Sequence, residues 1–187
     1  MPQIYLCFLW HMHQPFYKDL ASGEYKLPWT RMHALKDYYG MVSILEEFPT
    51  VKQTFNLVPS MMAQVEEYAT GTARDPFLEL ALKPAESLNE AEKEFLLRHS
   101  FYSDPEHMIY RYPRYGELFD SRKAQQRAGA RSLFGPQEFR DVQMWSQLAW
   151  FDEELQEHDP ETRAWIERGR NFTLSDQQRM GDRKSVV

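Results

Sequence analysis

Apolar residues fill every position from Ile4 to Trp10, so the pattern predicts a strand over residues 3–13 with both faces buried, as in central parallel strands. Pro15 stops that pattern. Residues 14–31, with Gly23 and Pro28, read as a loop. Leu35, Tyr38, Tyr39, Val42 and Leu45 then recur at helical spacing, and Pro49 ends the helix near Phe48. A short second strand is expected from about Val51 to Leu57. Pro59 suits the first turn of a further helix with an apolar stripe of Met61, Met62, Val65, Tyr68 and Ala69. Strand–helix–strand–helix predicts a parallel sheet or barrel.

The alternation then gives way to helices. Asn89, with Glu92 three residues on, marks a helix start, and that helix runs to about Phe101. Residues 103–115 show no period and read as an ordered irregular segment, because Tyr110, Tyr112 and Tyr115 need partners. A helix of low hydrophobicity is expected over 117–128. Pro136 opens a long helix to about Glu157 with a wide apolar face that includes Phe139, Val142, Trp145 and Leu148. Asp159-Pro160 starts a short helix that Gly169 closes. Thr173 and Asp176 signal one more start, but the closing GDRKSVV carries no helical stripe, so that helix is not expected to develop.

With 187 residues, 42% of them hydrophobic, the chain has a globular composition sufficient for one core. A net charge of −6 argues against a nucleic-acid partner, which selects a basic face. Aromatics reach 14%, which suits a core and equally a sugar cleft, where rings face the C–H surface of a pyranose. Cys7 is the single cysteine, so no intrachain disulfide forms, in keeping with a cytoplasmic protein. The first residues lack a basic segment and a cleavage site, and Ile4–Trp10 is too short to cross a membrane.

His11 and His13 stand two apart at the end of the first strand, so period two puts both on one face. Strand C-termini form the working rim of parallel barrels and sheets. The two imidazoles, followed by Gln14, could bond sugar hydroxyls or a metal, or simply close a barrel mouth. Asn56 holds the matching place on the second strand, where it could face the same rim or bond local backbone. Trp29 could stack on a sugar ring or anchor a loop. Arg31 could bond hydroxyls or orient an acid, or be a solvated charge at a helix start. His33 shares that loop, and Asp37 suits the helix dipole. Trp150 and Asp152 read first as packing at a helix end. Neither strand ends in Asp or Glu, although a glycosidase needs two carboxyl groups about the scissile bond. No HExxH, CxxC, GxSxG or phosphate loop occurs.

The stretch FLWHMHQPFY (Phe8–Tyr17) resembles the first signature region of glycoside hydrolase family 57, whose hallmark is His-Gln-Pro, here His13-Gln14-Pro15. Leu27–Met41, Phe55–Met62, Met144–Pro160 and Gly169–Thr173 are similar to later segments of the family, in order. The resemblance implies the N-terminal portion of an incomplete (β/α)7 barrel with a helical insertion, over residues 1–178. It implies an α-glucan or oligosaccharide substrate and retaining chemistry by a glutamate nucleophile and an aspartate acid/base, with no cofactor and no metal. His13 matches the histidine that helps bind the sugar beside the cleaved bond, and His11 is its neighbour. The catalytic carboxylates would lie downstream. Residues 179–187 depart from the family's pattern, which implies an interruption near Arg179 and a chain that is inactive and poorly stable alone.

Two other readings stay open. His-x-His at a first barrel strand also resembles the amidohydrolase pattern, in which both histidines bind a divalent metal. His33, His99, His107 and His158, however, fall on helices or loops. A non-catalytic carbohydrate-binding module would also use the aromatics, although such modules are more often β-sandwiches.

Overall fold

The computed structural model describes residues 3–128 and 134–182. Strand β1 (Leu9–Met12) is followed by the loop 13–28 and then by helix α1 (Trp29–His33), a π-helical turn (Ala34–Tyr38) and α2 (Tyr39–Glu47), which run on without a break. Strand β2 (Thr54–Leu57) then pairs parallel to β1, with Leu9, Trp10, His11 and Met12 opposite Thr54, Phe55, Asn56 and Leu57. The parallel ladder requires the helical crossover between the strands. Helix α3 (Pro59–Ala69) starts directly after β2, with Pro59 in its first turn, where a missing N–H leaves no bond unmade.

The remainder is helical: α4 (Pro76–Leu82), α5 (Glu90–His99), α6 (Pro113–Ala128), α7 (Pro136–Leu148), α8 (Glu153–His158), α9 (Pro160–Arg168) and α10 (Leu174–Asp182). Local chemistry explains most of the starts. Asn89 and Glu92 form a reciprocal capping box at α5. Asp75, Asp152 and Asp159 cap α4, α8 and α9, each accepting backbone N–H groups. Gly169 closes α9 at φ 72°, the left-handed conformation that glycine adopts without penalty.

The core lies among these helices. Every residue of α7 from Phe139 to Leu148 is buried. Trp145 packs against Tyr112, Tyr115 and Phe172 and donates its indole N–H to the Gly169 carbonyl at 2.8 Å. Each large side chain buried here contributes about 2–3 kcal/mol.

Several expectations are corrected. The loop 14–31 ends early, because α1 already begins at Trp29. The long helix from Pro136 stops at Leu148: Asp152 turns its carboxylate to the Glu154 N–H and begins α8 instead. The irregular segment holds a π turn (Pro105–Ile109), and α6 starts at Pro113 rather than 117. The final helix does develop, since Asp176, Gln177, Met180 and Gly181 form a buried face. Gly181 lies so close to Leu82 that a Cβ would meet its side chain at 3.0 Å. Residues 183–187 lie outside the described residues. The largest correction concerns β1. Ile4, Tyr5 and Leu6 are 77–88% exposed, and Leu9 is 66% exposed. A parallel strand is buried only where helices cover its faces, and among the described residues β1 pairs with β2 alone.

Candidate functional site

The site begins where β1 ends. His11 and His13 emerge on one face, both exposed, with ring centroids 5.6 Å apart and planes tilted by 38°. Asn56, also exposed, is the β2 partner of His11 in the parallel register, so all three share one sheet face. Met12, between the histidines, turns to the other side and is buried. The rim is thus two imidazoles and a carboxamide, a set of donors and acceptors suited to hydroxyl groups.

Gln14 does not join that rim. Its side chain is buried between two phenols: Nε2 donates to Tyr38 Oη at 2.8 Å, and Tyr17 Oη donates to Oε1 at 3.0 Å. Burial pushes both phenols above their ordinary pKa, aided at Tyr17 by Tyr38 and at Tyr38 by Asp37. Both therefore remain hydroxyls, able to donate and accept at once.

The ring contacts of Trp29 run to His33, Tyr102 and Trp150, not to His11 or His13. Its half-buried ring packs against Tyr102 at 5.7 Å and Trp150 at 5.8 Å between centroids. His33 touches the edge of Trp150 and bonds Asp37 through Nδ1. A contact of 6.4 Å from His33 to Tyr38 links this aromatic group to the Gln14 network. Trp150 is packing, as its helix-end position suggests, with its N–H on Ser103 Oγ at 2.9 Å.

Of the readings offered for Arg31, the solvated charge is corrected, and the side chain lies against an acid, Asp75. It is not solvated. It is 3% exposed, with Nε on Asp75 Oδ2 at 3.1 Å and Nη1 on Gln147 Oε1 at 2.7 Å. Tyr68 donates to the same Asp75 oxygen at 3.2 Å, and burial, reinforced by that carboxylate, drives its phenol pKa far up. Charges this deep persist only when paired.

Two residues of the neighbourhood carry a signal that periodicity alone did not use. Gln64 and Ser60 hold the segment after His13: Gln64 bonds Pro15 and Tyr17, and Ser60 bonds Gln14. Gln64 falls between Met61 and Tyr68 on the apolar stripe of α3, and a polar residue on a core stripe is itself a flag.

A two-stranded parallel sheet with a helical crossover thus carries His11, His13 and Asn56 at its strand ends, beside a part that is helical. The family model for glycosyl hydrolase family 57 matches residues 7–180, and the chain belongs to that family, whose members are glycosidases acting on glucan substrates. No curated protein and no solved structure matches the chain. Among the described residues no helix is long and apolar enough to cross a membrane, and no group of three or more His, Cys, Asp or Glu side chains gathers to hold a metal ion.

Proposed function

We propose that this chain grips an α-linked glucan at the β1–β2 rim, with His11 and His13 bonding hydroxyls of the sugar beside the scissile bond and Asn56 extending the contact. The reading treats the β1–α1/α2–β2 unit as the opening of an incomplete (β/α)7 barrel. It rests chiefly on the exposed pair of imidazoles at the strand end, 5.6 Å apart and in register with Asn56. Family membership supplies the substrate class. Gln14 supports the rim from behind. Trp29 walls the aromatic group, packed against Tyr102 and Trp150.

Retaining hydrolysis needs two carboxyl groups about 5–5.5 Å apart. Three acids that the sequence or the core brings into view are engaged elsewhere: Asp37 with His33, Asp75 with Arg31, and Asp152 at the start of α8. On this reading the rim holds sugar, and no pair of carboxylates is assigned to cleavage. Affinity electrophoresis on amylose, with release of sugar from starch measured alongside, tests this. Saturable binding without turnover is expected, and His13→Ala should abolish the binding. Equal retention of the variant, or turnover above that of the variant, would sink the reading.

A further inference from the structure

Gln64 lies in the second turn of α3 and is completely buried. A buried amide costs free energy unless its donors and acceptor are met, and an apolar side chain of that size would fill the same space without the demand. Here the amide is met almost wholly by one short segment. Nε2 donates to the Pro15 carbonyl at 2.9 Å and to the Ser60 carbonyl at 2.8 Å, while Oε1 accepts the Tyr17 N–H at 2.9 Å. Ser60, one turn earlier, donates its hydroxyl to the Gln14 carbonyl at 2.9 Å. Residues 14, 15 and 17 are thus each tied to α3 through the backbone, immediately after His13. Pro15 has no N–H of its own, so this segment cannot close on itself in a regular ladder. The other side of the segment is fixed by side chains, with Gln14 held between Tyr17 and Tyr38, and Tyr38 donating to the His13 carbonyl at 3.4 Å.

We infer that Gln64 is a positioning residue for the glucan rim: acting through the backbone of residues 14–17, it sets the direction in which the His13 imidazole leaves β1. It touches no sugar. The inference rests on the reading of His13 as a sugar contact, and it explains why α3 carries an amide on its core stripe. Small displacements of a binding group lose much of its effect, so the consequence is large relative to one side chain.

The test uses the 187-residue chain with Gln64→Met, which keeps length and removes every polar contact. Imidazole nitrogen signals of His11, His13 and His107 are followed by NMR through a pH titration, and affinity for maltoheptaose is measured on the same samples. The expected result is a folded variant in which His13 signals move, those of the distant His107 do not, and binding weakens by about tenfold or more. A folded variant with unchanged His13 signals and unchanged affinity overturns the inference, because a purely structural role would lower the melting temperature alone. Should Gln64→Met not fold, Ser60→Ala decides. It removes only the bond to the Gln14 carbonyl, and a shift of His13 with weaker binding supports the inference, whereas no change overturns it. If the unaltered chain binds no maltoheptaose, the sugar reading fails, and the positioning role is then judged by the His13 signals alone.

Discussion

Gly40 and Asp152 show how one missing atom shapes this molecule. A Cβ on Gly40 would collide with the Asp152 carboxylate, which occupies the space that any other residue would fill. Asp152 is held there by its N–H bond to the Leu35 carbonyl at 3.0 Å and by its cap on α8. Gly40→Ala should therefore lose about 1–3 kcal/mol in urea unfolding, the usual range for overpacking. Asp152→Ala should lose about 1 kcal/mol through the cap. The double variant should be more stable than the two losses added, because truncating Asp152 removes the collision; strict additivity would refute the steric account. Asp176 makes a second prediction at this scale. Burial opposes its charge, yet bonds from the Thr173 N–H and hydroxyl, Arg168 and Trp165 hold the carboxyl well below the usual range. A depressed folded pKa stabilises above the unfolded value of about 3.9 and ceases to do so as pH falls through the folded value. Asp176→Asn should thus lose about 2–4 kcal/mol at pH 7, and its gap from the unaltered chain should narrow below about pH 4. A gap independent of pH would mean that the charge plays no part.

Between elements, the buried Arg31–Asp75 pair joins four helices. Arg31 lies in α1, Asp75 caps α4, and their partners Tyr68 and Gln147 belong to α3 and α7. Removing one ion strands the other, so Arg31→Met should lose about 3–5 kcal/mol, whereas Arg31→Met with Asp75→Asn should recover part of that loss. Chemical denaturation of the single and double variants measures both, and a double variant weaker than the single would refute the pairing argument. The pair also marks where sequence reading stops. Caps were legible because they are local: Asn89 with Glu92, Pro59, Asp159-Pro160 and Gly169 all act within a few residues. Asp75-Pro76 carries the same signature as Asp159-Pro160, and α4 could have been found from it. By contrast, Arg31 and Asp75 are 44 positions apart, and no periodicity connects them. The π turn at Ala34–Tyr38 is equally silent, since its apolar spacing passes for an ordinary helix, yet it aims Tyr38 at Gln14.

Across the whole molecule, apolar burial is uneven. The helical part surrounds α7, with Phe139, Val142, Met144, Trp145 and Leu148 at most 1% exposed, while the two-stranded sheet leaves Ile4, Tyr5, Leu6 and Leu9 largely in solvent. The rim of His11, His13 and Asn56 was legible because strand ends and period two are simple rules. The exposure of the strand behind it was not, because the hydrophobic run reports what a strand can bury and not what covers it. Local stability follows packing, so the two halves should open separately. In hydrogen–deuterium exchange the amides of α7 should open only with global unfolding, and those of Leu9–Met12 should exchange at least about a hundredfold faster. Added urea should accelerate α7 strongly and the sheet weakly, because a local opening exposes little new surface. The same exposed run should bind a hydrophobic dye in the native state. Replacing Leu6 and Leu9 by threonine should halve that dye signal or better while leaving α7 exchange unchanged. If the sheet amides instead exchange at the rate of α7, the strands and the helical core open as one cooperative unit, and the separation argued from burial is refuted.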